Sequence, residues 1–89
     1  MVTEMGKRTV QADGKIDLSL LDSNTLYVFI LRDGRKVKTK MTPTGFQNYE
    51  YWMYGCTDYR RMLYTRKGRV FLDGESYTDI VKVKIPKEG

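Results

Sequence analysis

The chain has 89 residues, 40% hydrophobic and 30% charged, with a formal net charge of +5. That suits one basic domain spanning 1–89 and argues against wholesale disorder. Histidine is absent and Cys56 is the single cysteine, which excludes imidazole-based triads, an intrachain disulfide and the usual zinc sites.

The acidic residues are scattered and offer no close pair for carboxylate-only hydrolysis. The chain is therefore expected to be no enzyme, with no cofactor and no metal. Apolar runs such as Leu26 to Leu31 are too short to cross a bilayer. Met1-Val2-Thr3-Glu4-Met5 lacks the basic-then-apolar shape of a signal peptide. The expected compartment is cytoplasmic, or the host cytoplasm for a viral protein, with no membrane partner.

Three Asp-Gly pairs punctuate the chain, and Asp-Gly between apolar-alternating runs favours a two-residue hairpin turn. Asp13-Gly14 is expected to join strands at Lys7–Ala12 and Lys15–Leu20. Thr25–Leu31 is β-branched, aromatic and apolar on both faces, as a central strand would be. Across Asp33-Gly34, Lys36 to Met41 alternates, so that Val37, Thr39 and Met41 should face the core and Lys36, Lys38 and Lys40 the water.

Thr42-Pro43 reads as a helix start, with threonine as N-cap and proline in the first turn, and Gly55 as its stop. Phe46, Tyr49 and Met53 recur at helical spacing, with Trp52 beside them, while Tyr51 and Tyr54 fall off that stripe. Tyr59–Thr65 and Arg69–Asp73 read as a hairpin whose three-residue turn places Gly68 in the left-handed region. Ile80–Ile85 alternates and Pro86 ends it. Asp73-Gly74 marks the third turn. The expected fold is α+β: an antiparallel sheet or partial barrel of about six to seven strands, ordered ββββ-α-βββ, with one α-helix near residues 43–54.

Charge is concentrated in the middle. Arg32 to Arg69 holds ten Lys or Arg against Asp33, Glu50 and Asp58, while both flanks are slightly acidic. Four constellations follow. Lys36, Lys38 and Lys40 on alternate strand positions match the spacing of successive phosphates, although lysines also guard strand edges. A helix start at Thr42 and Thr44 would bind an anion or simply be capped. Tyr59, Arg60, Arg61, Tyr64, Arg66, Lys67 and Arg69 combine phosphate-binding arginines with stacking rings, or form a plain surface hairpin. If that strand alternates, Arg60, Met62 and Tyr64 share a face that looks more like a binding surface than a core. The aromatic excess Tyr49 to Tyr54, with Tyr51 free to stack, suits an interface or a core stripe with wet edges. Cys56 is expected to be packed and not reactive.

The leading expectation is a non-enzymatic module for a phosphate-bearing ligand, nucleic acid or nucleotide, held by this basic-aromatic face. The alternatives are a small viral-type inhibitor that binds a host protein through its aromatic helix, an oligomer that sequesters a small nucleotide, and a structural subunit. A homo-oligomer is expected.

Overall fold

Tyr27–Leu31 and Lys36–Thr39 pair antiparallel across the Asp33-Gly34 turn, with Phe29 opposite Val37 and Val28 opposite Lys38. The computed structural model describes residues 9–54 and 61–86. Its strands are β1 (Thr9–Ala12), β2 (Tyr27–Leu31), β3 (Lys36–Thr39), β4 (Thr42–Pro43), β5 (Tyr51–Tyr54), β6 (Arg61–Tyr64) and β7 (Ile80–Lys84). One sheet has the order β1-β7-β2-β3 and the other β4-β5-β6. All pairs are antiparallel. Among the described residues no helix is long and apolar enough to cross a membrane.

The register follows from burial. Val37, Phe29 and Val83 lie in one cross-strand row and are all buried. A one-residue slip of β3 would turn its lysines into the core, at a desolvation cost no partner offsets. Val37 and Met41 are buried, Thr39 is half-buried, and Lys36, Lys38 and Lys40 are exposed, as the alternation predicts. Beyond Thr39 the chain passes through Lys40 and buried Met41 into β4, leaving the first sheet for the second. Residues from both sheets, among them Phe29, Leu31, Val83, Met53 and Tyr64, share one core cluster.

The helix expected near 43–54 is not formed. Gly45 and Asn48 both have positive φ, 84° and 71°, which no right-handed helix accommodates. Thr44 does not cap a helix but closes a loop. Its backbone N–H donates to Glu50 O at 2.8 Å. Its hydroxyl donates to Tyr49 O at 2.7 Å and accepts from Phe46 N at 2.8 Å. The segment is thus a hairpin, with Thr42 opposite Trp52 and Pro43 opposite Tyr51. Pro43 is tolerated because β4 is an edge strand. Phe46, assigned to the core stripe by its spacing, is exposed. Tyr51 to Tyr54 satisfies a period of two equally well, and its aromatic residues favour strand.

The first hairpin is also replaced. The Asp13-Gly14 turn exists, closed by Lys15 N to Ala12 O at 2.9 Å. However, β1 pairs with β7 and Lys15–Leu20 is not a strand. The Gln11 side chain takes the place of a partner strand, donating to Asp17 O at 2.8 Å and accepting from Asp17 N at 3.1 Å. Ile16 and Leu18 are still buried, Leu18 within a 3₁₀ turn over Leu18–Leu20 that Asp17 caps.

The loops after β2 and β6 share one hydrogen-bond pattern. Leu31 N donates to Arg35 O and Gly34 N to Leu31 O; Thr65 N donates to Arg69 O and Gly68 N to Thr65 O. Each is a three-residue loop with glycine in the left-handed region, φ 95° at Gly34 and 75° at Gly68. Gly68 thus sits as its sequence predicts, whereas the turn at Gly34 is one residue longer than expected. The strand expected at Arg69–Asp73 is absent, and the chain from Val70 to Asp79 is a loop. In β7 a bulge at Val81 breaks the alternation, so that Ile80 pairs with Leu31 and Lys82 with Ile30.

Candidate functional site

The outer face of the first sheet carries two cross-strand rows. Lys36 lies opposite Ile30 and Ile30 opposite Lys82; Lys38 lies opposite Val28 and Val28 opposite Lys84. Lysines in one row are about 10 Å apart at their Cα atoms, and those on one strand about 7 Å apart. Val28 and Ile30 are half-buried between them, where lysine stems cover apolar surface while their ammonium groups stay in water. Among the described residues, none of these four lysines forms an ion pair.

The outer face of the second sheet is aromatic. Met53, Met62 and Tyr64 face the core, so the alternation turns Trp52, Tyr54, Arg61 and Leu63 outward. Trp52 and Tyr54 meet edge to face at a centroid distance of 4.9 Å. The Arg61 guanidinium carbon lies 4.9 Å from the centroid of the Trp52 ring. Lys40 is exposed on the chain between the two sheets, and Thr42 pairs with Trp52. The run Lys36, Lys38, Lys40, Thr42 thus leads from the lysine rows to the aromatic face.

The other expected site residues are distributed differently. Tyr64 is fully buried and its hydroxyl donates to Thr78 O at 2.8 Å. Burial, with the nearby charge of Asp79, pushes its phenol well above the ordinary range. It offers no stacking face, because the side of β6 shared by Met62 and Tyr64 is core and not a binding surface. Tyr51 is half-buried against the core, and the Thr44 hydroxyl is engaged within its own loop. Tyr59, Arg60 and Cys56 lie outside the described residues.

Among the described residues, the arginines expected on the basic-aromatic face do not stand together as free charges. Arg66 Nε donates to Asp17 Oδ1 at 3.2 Å. Arg69 lies 3.7 Å from Asp79, a fully buried carboxylate that Arg32 also approaches at 3.4 Å. Asp79 accepts backbone hydrogen bonds from Val70 N at 3.0 Å and Ser76 N at 2.9 Å. Arg32 further approaches Asp13 and Glu75. This network secures the ends of the Val70–Asp79 loop. Lys67 stays exposed beside Arg69 on a groove floored by Ile16 and Ile80.

The residues missed in the sequence are Lys82, Lys84 and Leu63, while Trp52 and Tyr54 enter the sequence reading only through the aromatic excess of an expected helix. The alternation within Ile80–Ile85 already placed the two lysines on one face, but only the pairing of β7 with β2 joins them to Lys36 and Lys38. No protein-family model matches this chain, and neither does any curated protein or solved structure.

Proposed function

We propose that the chain is a non-enzymatic module that binds single-stranded nucleic acid across the outer faces of its two sheets. Lys36, Lys38, Lys82 and Lys84 contact phosphates, Lys40 carries the backbone across, and the Trp52–Arg61 pair with Tyr54 receives bases. The observation that carries this reading is the gathering of four lysines, unpaired among the described residues, on a face that the run through Lys40 and Thr42 links to an outward tryptophan. Phosphate contacts supply affinity, and a ring face accepts any base. The competing idea of an aromatic helix docking on a host protein loses its element, since that segment is a β-hairpin.

The test is fluorescence anisotropy with labelled single strands and duplexes over a range of salt. Replacing all four lysines by glutamine removes up to four phosphate contacts. The slope of log K against log salt should become shallower by about three, at roughly 0.7 per contact for single strands. Unchanged affinity and slope in the quadruple variant, or tighter binding to duplex than to single strand, would overturn the proposal.

A further inference from the structure

The Val70–Asp79 loop displays apolar residues that the fold leaves uncovered. Phe71, Leu72 and Tyr77 are 52%, 65% and 70% exposed. They are not on a slack segment. Asp79 holds the backbone at Val70 and Ser76, Asp33 N donates to Tyr77 O at 2.9 Å, and the buried Tyr64 hydroxyl fixes Thr78. Exposed apolar groups on an anchored loop mark an interaction surface. The loop is acidic as well, with Asp73 and Glu75 exposed and no Lys or Arg from Val70 to Asp79.

Another part of the molecule carries the complement. Val10, Leu20, Leu21, Tyr27 and Ile85, with Lys15 among the polar residues, line a groove of about 440 Å³, inside the range of ligand-sized clefts. Leu20 is 76% exposed there, Ile85 47% and Val10 42%. An apolar acidic loop and an apolar groove that a lysine helps to line, both uncovered among the described residues, match in polarity and in charge.

We infer that the Phe71–Tyr77 loop of one copy docks in the Val10–Leu20–Ile85 groove of a second copy, with Asp73 set towards Lys15. Each copy gives a loop and receives one: exchanged between the same two copies the contact closes a two-fold dimer, and passed from copy to copy it builds larger rings or open chains. Neither surface uses the lysine rows or Trp52, so self-association and nucleic-acid binding stand or fall separately.

Sedimentation equilibrium of the full chain from micromolar to millimolar concentration tests this. Wild type should show a mass that rises with concentration. Two variants, Phe71→Ser with Leu72→Ser in the loop and Leu20→Glu in the groove, should each stay monomeric. They alter exposed side chains, and thermal melts matching wild type verify their folding. Mixed together, they should form a one-to-one dimer that grows no further, because the first keeps an intact groove and the second an intact loop. Both should bind labelled oligonucleotide with wild-type affinity. A wild type that is monomeric at every concentration, or variants that associate alone or fail to pair when mixed, would overturn the inference.

Discussion

Arg61 and Trp52 sit diagonally across the β5–β6 pair, and the guanidinium carbon lies 4.9 Å from the centroid of the indole ring. Their strands alternate, so both project away from the core that Met53 and Tyr64 enter. A cation over a ring near the surface gains about 0.5–1 kcal/mol, which holds the guanidinium against the half-buried indole.

Trp52 is the chain's single tryptophan, so its emission reports directly on that face. Titration with a single-stranded oligonucleotide should quench it. Trp52→Ala should weaken binding by about 1–3 kcal/mol, the usual worth of one stacked base. Arg61→Ala should weaken it as well, through the lost stacking plane and the lost charge. Emission insensitive to saturating ligand would remove Trp52 from the interface.

Gly68 should tolerate no side chain. Its φ is 75°, and a Cβ there would lie 2.8 Å from Ile16 Cγ2 and 3.2 Å from Ile80 Cβ. Gly68→Ala therefore combines backbone strain with displacement of two core residues, and should cost about 2–4 kcal/mol. Gly34 has φ 95° but open space around it, so Gly34→Ala should cost only about 1–2 kcal/mol of strain. Urea denaturation of the two variants compares them, and equal losses would show that crowding at Gly68 contributes nothing.

Asp79→Ala should destabilise the chain by about 3–5 kcal/mol, because it leaves two arginines beside a buried site without their carboxylate. The backbone N–H groups of Val70 and Ser76 lose their acceptor at the same time. Amide hydrogen exchange across Val70–Asp79 should quicken more than exchange in β2 or β7. Exchange accelerated uniformly through the chain would show that Asp79 supports the whole fold and not this loop.

Acid should weaken the fold through three turn carboxylates. The Ser19 hydroxyl, assisted by Arg66, holds Asp17 below its ordinary range; the Asn24 N–H, then the Thr25 hydroxyl, does so for Asp22, and the Arg35 N–H for Asp33. A carboxyl whose folded pKa is depressed stabilises above its unfolded value, and that contribution is lost as pH falls through the folded one. Tm should therefore hold from pH 7 to about pH 5 and decline below about pH 4. Asp17→Asn should flatten part of that decline. A variant whose Tm falls as steeply as wild type would show that Asp17 does not contribute.

By itself the sequence determined the elements that local chemistry over-specifies. Strict alternation in Lys36 to Met41 left one register that keeps ammonium groups in water, and glycine at 34 and 68 marked two of the positions where the chain turns with positive φ. It did not determine the state of Thr42 to Tyr54, where Phe46, Tyr49 and Met53 fit a helix and the rings at 51, 52 and 54 fit a strand. Tertiary pairing resolved that conflict, because β5 gains β4 and β6 as partners and buries Met53, whereas a helix there would leave β6 without the strand it pairs with. The candidate site was legible only in part, for the same reason. Lys36 and Lys38 are neighbours in sequence, but Lys82 and Lys84 reach them through the long-range β2–β7 pairing. The arginines of residues 60–69 looked like one face until Asp17 and Asp79, distant in sequence, drew Arg66 and Arg69 away. Local periodicity says which way a side chain points from its own strand. Which strand lies beside it is decided by burial summed over the whole chain.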